Sequence, residues 1–196
     1  MNYPNGKKYE PQNIIKKTER KKYNIKDNAS NRGMALEEDI STSLEFYNNQ
    51  DLCLIYKRPT PIKVVRMDKI NKSKICEAYF SEKSTTDYNG LYKGKYLDFE
   101  AKESINKTSF PFHNIRPQQI THLQKVMKLG GIAFFVIRLK AFNQTYLLKF
   151  SDLEPLLKSN RASVPLDFIF KNGILIEESF LPRLKILDAI DSAFFS

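Results

Sequence analysis

The chain has 196 residues, 41% hydrophobic and 28% charged, with a formal net charge of +10. That length supports one domain with a sizeable core, and the basic balance is one that nucleic-acid binders share. No apolar run reaches the roughly 18 residues of a membrane helix; the lysine-rich N-terminus has no secretory h-region. Its two cysteines, Cys53 and Cys76, make neither a disulfide framework nor a zinc site, and read as reduced core or near-core residues of a cytoplasmic protein.

Residues 1–30 carry eight Lys or Arg against three Asp or Glu, 8 − 3 = +5, half the total charge. With no apolar periodicity, they are expected to be a flexible basic arm, solvated or lying on DNA. Ser30 or Asn31 is placed to cap a first helix, along which Leu36, Ile40, Leu44 and Tyr47 recur at helical spacing. Glu37 lies off that stripe, facing either a metal site or water. Leu52–Tyr56 is a short apolar run expected to be a buried strand. In residues 57–80, Pro59 and Pro61 bar a central strand at their own positions, and Ile62–Met67 and Ile75–Phe80 read as the arms of a hairpin. Here Lys57, Arg58, Lys63, Arg66, Lys69, Lys72 and Lys74 face only Asp68 and Glu77, giving 7 − 2 = +5.

Residues 84–102 hold the chemistry. Asp98-Phe99-Glu100-Ala101-Lys102 alternates, so in a strand Leu97, Phe99 and Ala101 face a core while Asp98, Glu100 and Lys102 share the other face. Asn89-Gly90 and Lys93-Gly94 are turn signals, and a hairpin there returns Asp87 beside Glu100. Two carboxylates and one lysine at one point can hold a divalent cation against a phosphate, and oxygen ligands suit Mg²⁺.

Asn106–Pro111 then reads as a loop. A helix follows, with Pro117 in its first turn, a stripe of Ile120, Leu123 and Met127, and Gly130-Gly131 at its end. Ile132–Leu139 is expected to be a central strand and Thr145–Phe150 another. Ser151-Asp152-Leu153-Glu154 has the form of a capping box. Residues 163–171 fit either a helix ended by Asn172-Gly173 or half of a hairpin. Residues 183–195 fit a final helix, with Leu184, Leu187, Ile190 and Phe194 as its stripe. No ATP-binding loop, zinc signature or serine or cysteine triad is present. Alternating strands and helices give an α/β domain with a mixed sheet covered by helices.

The spacing Asp87-x12-Glu100-x-Lys102 resembles the PD-(D/E)XK nuclease signature, although no Pro precedes Asp87. The wider pattern is more specific. Asn31-Arg32-Gly33-Met34 with Leu36-Glu37, Lys57-Arg58-Pro59-Thr60-Pro61-Ile62, Glu77-Ala78-Tyr79-Phe80, residues 84–102 and Asn106-Lys107-Thr108-Ser109-Phe110-Pro111 together resemble the RecU family of Holliday junction resolvases. The resemblance runs from about Asn31 to Tyr146 and thins beyond.

The resemblance implies a restriction-endonuclease-like core over 31–196 and a stalk at about 57–80 that enters the junction centre. It implies a Mg²⁺-dependent endonuclease, with Mn²⁺ as a substitute, that resolves four-way junctions by paired nicks in recombination and repair. Asp87, Glu100 and Lys102 would be catalytic. Thr85, Asp87, Glu100 and Gln119 would form the metal site, with Glu37 a secondary acidic candidate and the choice of Gln119 over Gln118 set by register. Arg32, Lys57, Arg58, Lys63, Arg66, Lys72, Lys74, Tyr79 and Phe80 would contact DNA. The expected partners are junction DNA, a second copy of the chain in a homodimer, and recombination proteins such as a strand-exchange recombinase or a branch-migration helicase, at the bacterial nucleoid and not at a membrane. Two other readings remain: a junction-binding modulator of recombination in which cleavage is secondary, and a nuclease of this fold acting on duplex or damaged DNA.

Overall fold

The computed structural model describes residues 34–80, 85–159 and 161–195. The expected arm, the Ser30 or Asn31 cap, Arg32 and Ser84 lie outside them. In chain order the elements are α1 (Met34–Asn48), β1 (Leu54–Lys57), β2 (Ile62–Met67), β3 (Ile75–Phe80), β4 (Tyr88–Tyr92), β5 (Lys95–Ser104), β6 (Ser109–Pro111), α2 (Pro117–Lys128), β7 (Ile132–Leu139), β8 (Gln144–Lys149), α3 (Phe150–Leu157), β9 (Ser163–Pro165), α4 (Leu166–Asn172), β10 (Ile174–Leu175) and α5 (Ile186–Phe194). The main sheet has the order β1-β4-β5-β7-β8-β10. Its β5–β7 pair is parallel and its other pairs are antiparallel. This is the expected mixed sheet. Residues of α1 and α5 pack on one face, and those of α2, α3 and α4 on the other. Among the described residues no helix is long and apolar enough to cross a membrane.

The alternation in β5 decides what each layer receives. Leu97, Phe99 and Ala101 are buried in the cluster with α1 and α5. Tyr88, Phe99 and Phe134 are register partners across β4, β5 and β7. Their rings stack with centroids 4.9 and 4.6 Å apart, each contact contributing about 0.5–1.5 kcal/mol beyond area burial. This stack fixes the height of β5, and so the positions of Asp98 and Glu100 on its opposite face.

Helix α1 buries Leu36, Ile40, Leu44 and Tyr47, as its spacing predicts. The run after it is shorter and more exposed than expected: β1 is an edge strand in which only Ile55 is buried. Asn48 pins it there, donating from Nδ2 to the Ile55 carbonyl at 2.8 Å and accepting the Ile55 N–H on Oδ1 at 3.1 Å. Asn89-Gly90 is not a turn but the middle of β4. The hairpin turns at Lys93-Gly94, both with positive φ (46° and 72°), as a two-residue connection requires. Gly90 serves a different need: a Cβ there would lie 2.0 Å from the Leu54 carbonyl oxygen. Gly90→Ala is therefore expected to push β1 off the sheet and cost about 1–3 kcal/mol, the range of overpacking; a urea midpoint equal to the wild type's would contradict this close approach.

Several expectations shift by a turn or less. Asn106–Pro111 is not all loop, since Ser109–Pro111 pairs with Ser163–Pro165. The buried residues of α2 are Gln119, Leu123 and Val126, with Ile120 and Met127 only partly buried beside them. Helix α3 starts at Phe150 with no side-chain cap, so Ser151 lies inside its first turn and forms no capping box. Residues 163–172 divide into a strand and then a helix, and α5 starts three residues later than expected, at Ile186. Cys53 is half-buried, but Cys76 is exposed rather than near the core.

The β2–β3 hairpin forms a sheet of its own, with every residue of both strands exposed. Its tip is held by Asp68, whose Oδ1 accepts the N–H groups of Ile70 and Asn71 at 2.8 and 2.7 Å. These two bonds hold the Asp68 carboxyl below its usual range. Ile70, in that turn, is 98% exposed.

Candidate metal and DNA site

Asp87 precedes β4, and the β4–β5 register carries it back to Glu100 as the sequence predicts. Its Oδ2 accepts the Ala101 N–H at 3.0 Å. Glu100 is 1% exposed. Its Oε1 accepts from Lys102 Nζ and, at 2.5 Å, from Gln119 Nε2. Its Oε2 is buried without a hydrogen-bond partner. Burial first, then the nearby Asp87 carboxylate, push the Glu100 pKa up to about 8; Lys102 opposes this. Buried polar atoms are nearly always paired, so an orphaned carboxylate oxygen beside a second carboxylate is the donor set of an oxygen-ligated cation.

A cleft of about 630 Å³ opens over these groups, lined by Glu37, Asp87, Glu100, Lys102, Gln119 and Lys140 among others. Gln119, not Gln118, meets Glu100. It does so through its amide nitrogen, because its Oε1 accepts the Arg116 N–H at 3.0 Å at the start of α2. Thr85 does not line the cleft, and its buried hydroxyl has no hydrogen-bond partner. Among the described residues no group of three or more His, Cys, Asp or Glu is arranged to hold a metal; the carboxylate pair would need neutral oxygens to complete a shell. Glu37 sits at the cleft wall, 2.6 Å from Lys57 Nζ.

The candidate DNA residues divide by setting. Lys63, Arg66, Lys72 and Lys74 are exposed on the hairpin, where Arg66 lies 3.6 Å from Glu77, a solvated pair of little energetic value. Tyr79 and Phe80, at its base, are 52% and 73% exposed. Arg58 turns inward: its Nη2 lies 2.8 Å from Oδ2 of Asp98, which is fully buried.

Sequence reasoning placed Asp98 on the polar face but missed what surrounds it. Thr86 Oγ1 donates to Oδ1; Arg58, Tyr96 Oη (2.9 Å) and His122 Nε2 (2.7 Å) converge on Oδ2. A carboxylate only accepts, so His122 meets Oδ2 as the donor, through Nε2. Burying a charge without such partners is costly, and that cost was the signal: an Asp two residues before a buried Glu on one strand face calls for a cation nearby.

The family model described as "Recombination protein U" (RecU) matches residues 31–192. The Holliday junction resolvase RecU of Oceanobacillus iheyensis is 43% identical over 205 residues, covering 100% of both chains. That of Geobacillus sp. (strain WCH70) is 41% identical over 200 residues, 99% of this chain and 98% of its own. That of Staphylococcus aureus (strain JH9) is 43% identical over 197 residues, 97% and 95%. Among solved structures, Hjc of Archaeoglobus fulgidus, a Holliday junction resolvase, overlaps 73% of this chain and 95% of its own, with a TM-score of 0.44 and 11% identity.

Proposed function

Because the chain belongs to the RecU family, we propose that it is a divalent-cation-dependent endonuclease that resolves four-way DNA junctions. The observation that carries the chemistry is the buried, unpartnered Oε2 of Glu100 beside Asp87, at the floor of a cleft. Asp87 and Glu100 would hold Mg²⁺, or Mn²⁺ in its place, with Gln119 as the candidate neutral ligand at the cleft; Thr85, whose buried hydroxyl does not line the cleft, would have to turn to join them. Gln119 would have to give up its bond to the Arg116 N–H to present its oxygen. A cation bound there supplies charge relief on the phosphoryl oxygens and an activated water.

The remaining work falls to the chain itself. Lys102 places its ammonium beside Glu100 at the cleft, where it stabilises negative charge developing on the phosphate. The Ala101 N–H fixes Asp87. The basic β2–β3 hairpin enters the open junction centre, and Tyr79 and Phe80 offer faces for unpaired bases. Two nicks must be paired across a symmetric substrate, which a two-fold homodimer with two sites provides. Leu54, Leu91 and Tyr96 stand opposite one another across β1, β4 and β5 and are 54%, 49% and 41% exposed, an apolar row of the kind a subunit interface covers. Residues 1–30 would act as a basic arm on DNA. A strand-exchange recombinase and a branch-migration helicase, which make and move such junctions, are the expected protein partners at the nucleoid.

The raised Glu100 pKa gives a test that needs no DNA. An acid raised from 4.5 to about 8 in the folded state contributes stability that is present below pH 4.5 and lost as pH rises towards 8. Without divalent cation, the wild type should lose thermal stability over that window relative to Glu100→Gln, which has no charge to acquire. Cation binding displaces the same proton, so apparent Mg²⁺ affinity should weaken about tenfold per pH unit below 8. Thermal melts with and without MgCl₂ at pH 5.5 and 8 check both. A Mg²⁺ shift equal at the two pH values, or retained in Glu100→Gln, would remove Glu100 from the site.

A further inference from the structure

We infer that Asp98 is a positioning residue that locks the two legs of the β2–β3 hairpin to the strand carrying Glu100, so that the hairpin's seating sets the geometry of the cleavage site; this rests on the nuclease reading above. The outgoing leg passes through Arg58, one residue beyond β1, and the incoming leg returns through Thr86, two residues before β4. The two bind opposite oxygens of one carboxylate, Arg58 on Oδ2 and Thr86 on Oδ1. The main chain repeats the link, since the Arg58 N–H donates to the Asp87 carbonyl at 2.7 Å. Asp98 lies two residues before Glu100 on the same face of β5, and His122, which binds it, lies one helical turn beyond Gln119, which binds Glu100. Three of the four side chains on Asp98 thus have a neighbour in the cation site: Thr86 precedes Asp87, Arg58 holds the Asp87 carbonyl, and His122 shares α2 with Gln119.

Such a cluster resists small displacement. Asp98 is fully buried and carries one charge, which Arg58 balances. Moving the Thr86 leg would take its donor from Oδ1, and moving the Arg58 leg would take the counter-charge from a buried carboxylate that Tyr96 and His122 still bond. The roots of the hairpin at Arg58 and Thr86 and the site therefore move together. A misplacement of about 1 Å at reacting groups can cost about a hundredfold in rate.

The test uses the full chain on a labelled four-way junction at saturating protein, measuring the single-turnover cleavage rate and, in Ca²⁺, the junction dissociation constant and its salt slope. Asp98→Asn, and independently Arg58→Met, are expected to lower the rate by about a hundredfold while the dissociation constant stays within about threefold and the salt slope is unchanged, as for a residue that touches no phosphate. The double variant should be no slower than the slower single, because both break one link. Thr86→Val, which removes one donor and keeps the shape, should give a smaller drop in the same direction. Melting curves confirm the folded fraction, to which rates are normalised; a merely structural Asp98 predicts normal rates per folded molecule. Normal normalised rates in Asp98→Asn and Arg58→Met would overturn the proposal, as would additive losses. A shallower salt slope in Arg58→Met would overturn it too, by making Arg58 a phosphate contact. A wild type that cleaves no junction would instead remove the nuclease reading on which it stands.

Discussion

Glu100→Gln and Asp87→Asn are each expected to abolish strand scission while leaving junction affinity within a few-fold of the wild type. Cation-held charge relief contributes several kcal/mol at a phosphoryl centre, and each 1.36 kcal/mol is tenfold in rate, so the loss should be about a thousandfold or more. Binding should survive because it rests on phosphate contacts from cations. The two carboxylates, if anything, repel the backbone. Glu100→Gln keeps the shape that Gln119 contacts and removes a group whose pKa burial pushes up to about 8, so without cation the variant should gain stability relative to the wild type as pH rises towards 8. Asp87→Asn retains the oxygen that accepts the Ala101 N–H. Full nicking by either folded variant would remove these two residues from the chemistry.

The second large effect is expected at the hairpin. Residues 64–78 can be excised and Lys63 joined to Tyr79 by Asn-Gly, because those two residues are register partners and Asn-Gly closes two-residue hairpins. The deletion removes four Lys or Arg and two Asp or Glu, 4 − 2 = +2, together with the braced tip and its fully exposed Ile70. It leaves Arg58, Tyr79 and Phe80 in place, and it reaches neither Asp87 nor Glu100. Duplex bases are stacked shut, whereas a junction centre can open to admit such an element. The variant should melt as the wild type does, still bind Mg²⁺, and lose most of its preference for junctions. The quantity to measure is the ratio of duplex to junction dissociation constants at one fixed salt concentration, since salt shifts both. A ratio unchanged in a folded variant would mean that the body of the protein selects the junction, and the reading as an ordinary duplex nuclease would gain.

Local periodicity made much of this legible. The 3.6-residue stripe of α1, the strict alternation of β5 and the Pro117 and Gly130 boundaries of α2 each report a face or an end that neighbouring residues determine. The pairing of Asp87 with Glu100 followed from a short hairpin, although it was the Lys93-Gly94 turn that closed it and not Asn89-Gly90. What escaped was set by distant chain. Gly90 answers to the Leu54 carbonyl, thirty-six positions away in sequence. Asp98 is neutralised by Arg58, forty positions away, so a residue that looked like a DNA contact faces inward. The Ser151 capping box failed because β8 hands over to α3 at Phe150, whose side chain is fully buried and fixes the helix start two residues earlier, with Lys149 in the cap position. Tertiary packing outweighed a cap worth about 1 kcal/mol.

Cation-dependent cleavage at a four-way junction is tested most directly by incubating the purified chain with a labelled junction and a linear duplex of matching sequence, at one salt concentration, with Mg²⁺ or with EDTA. Paired nicks in the junction with Mg²⁺, none with EDTA and an intact duplex are the predicted result. Equal cutting of both substrates, or junction cutting that persists in EDTA, would contradict it.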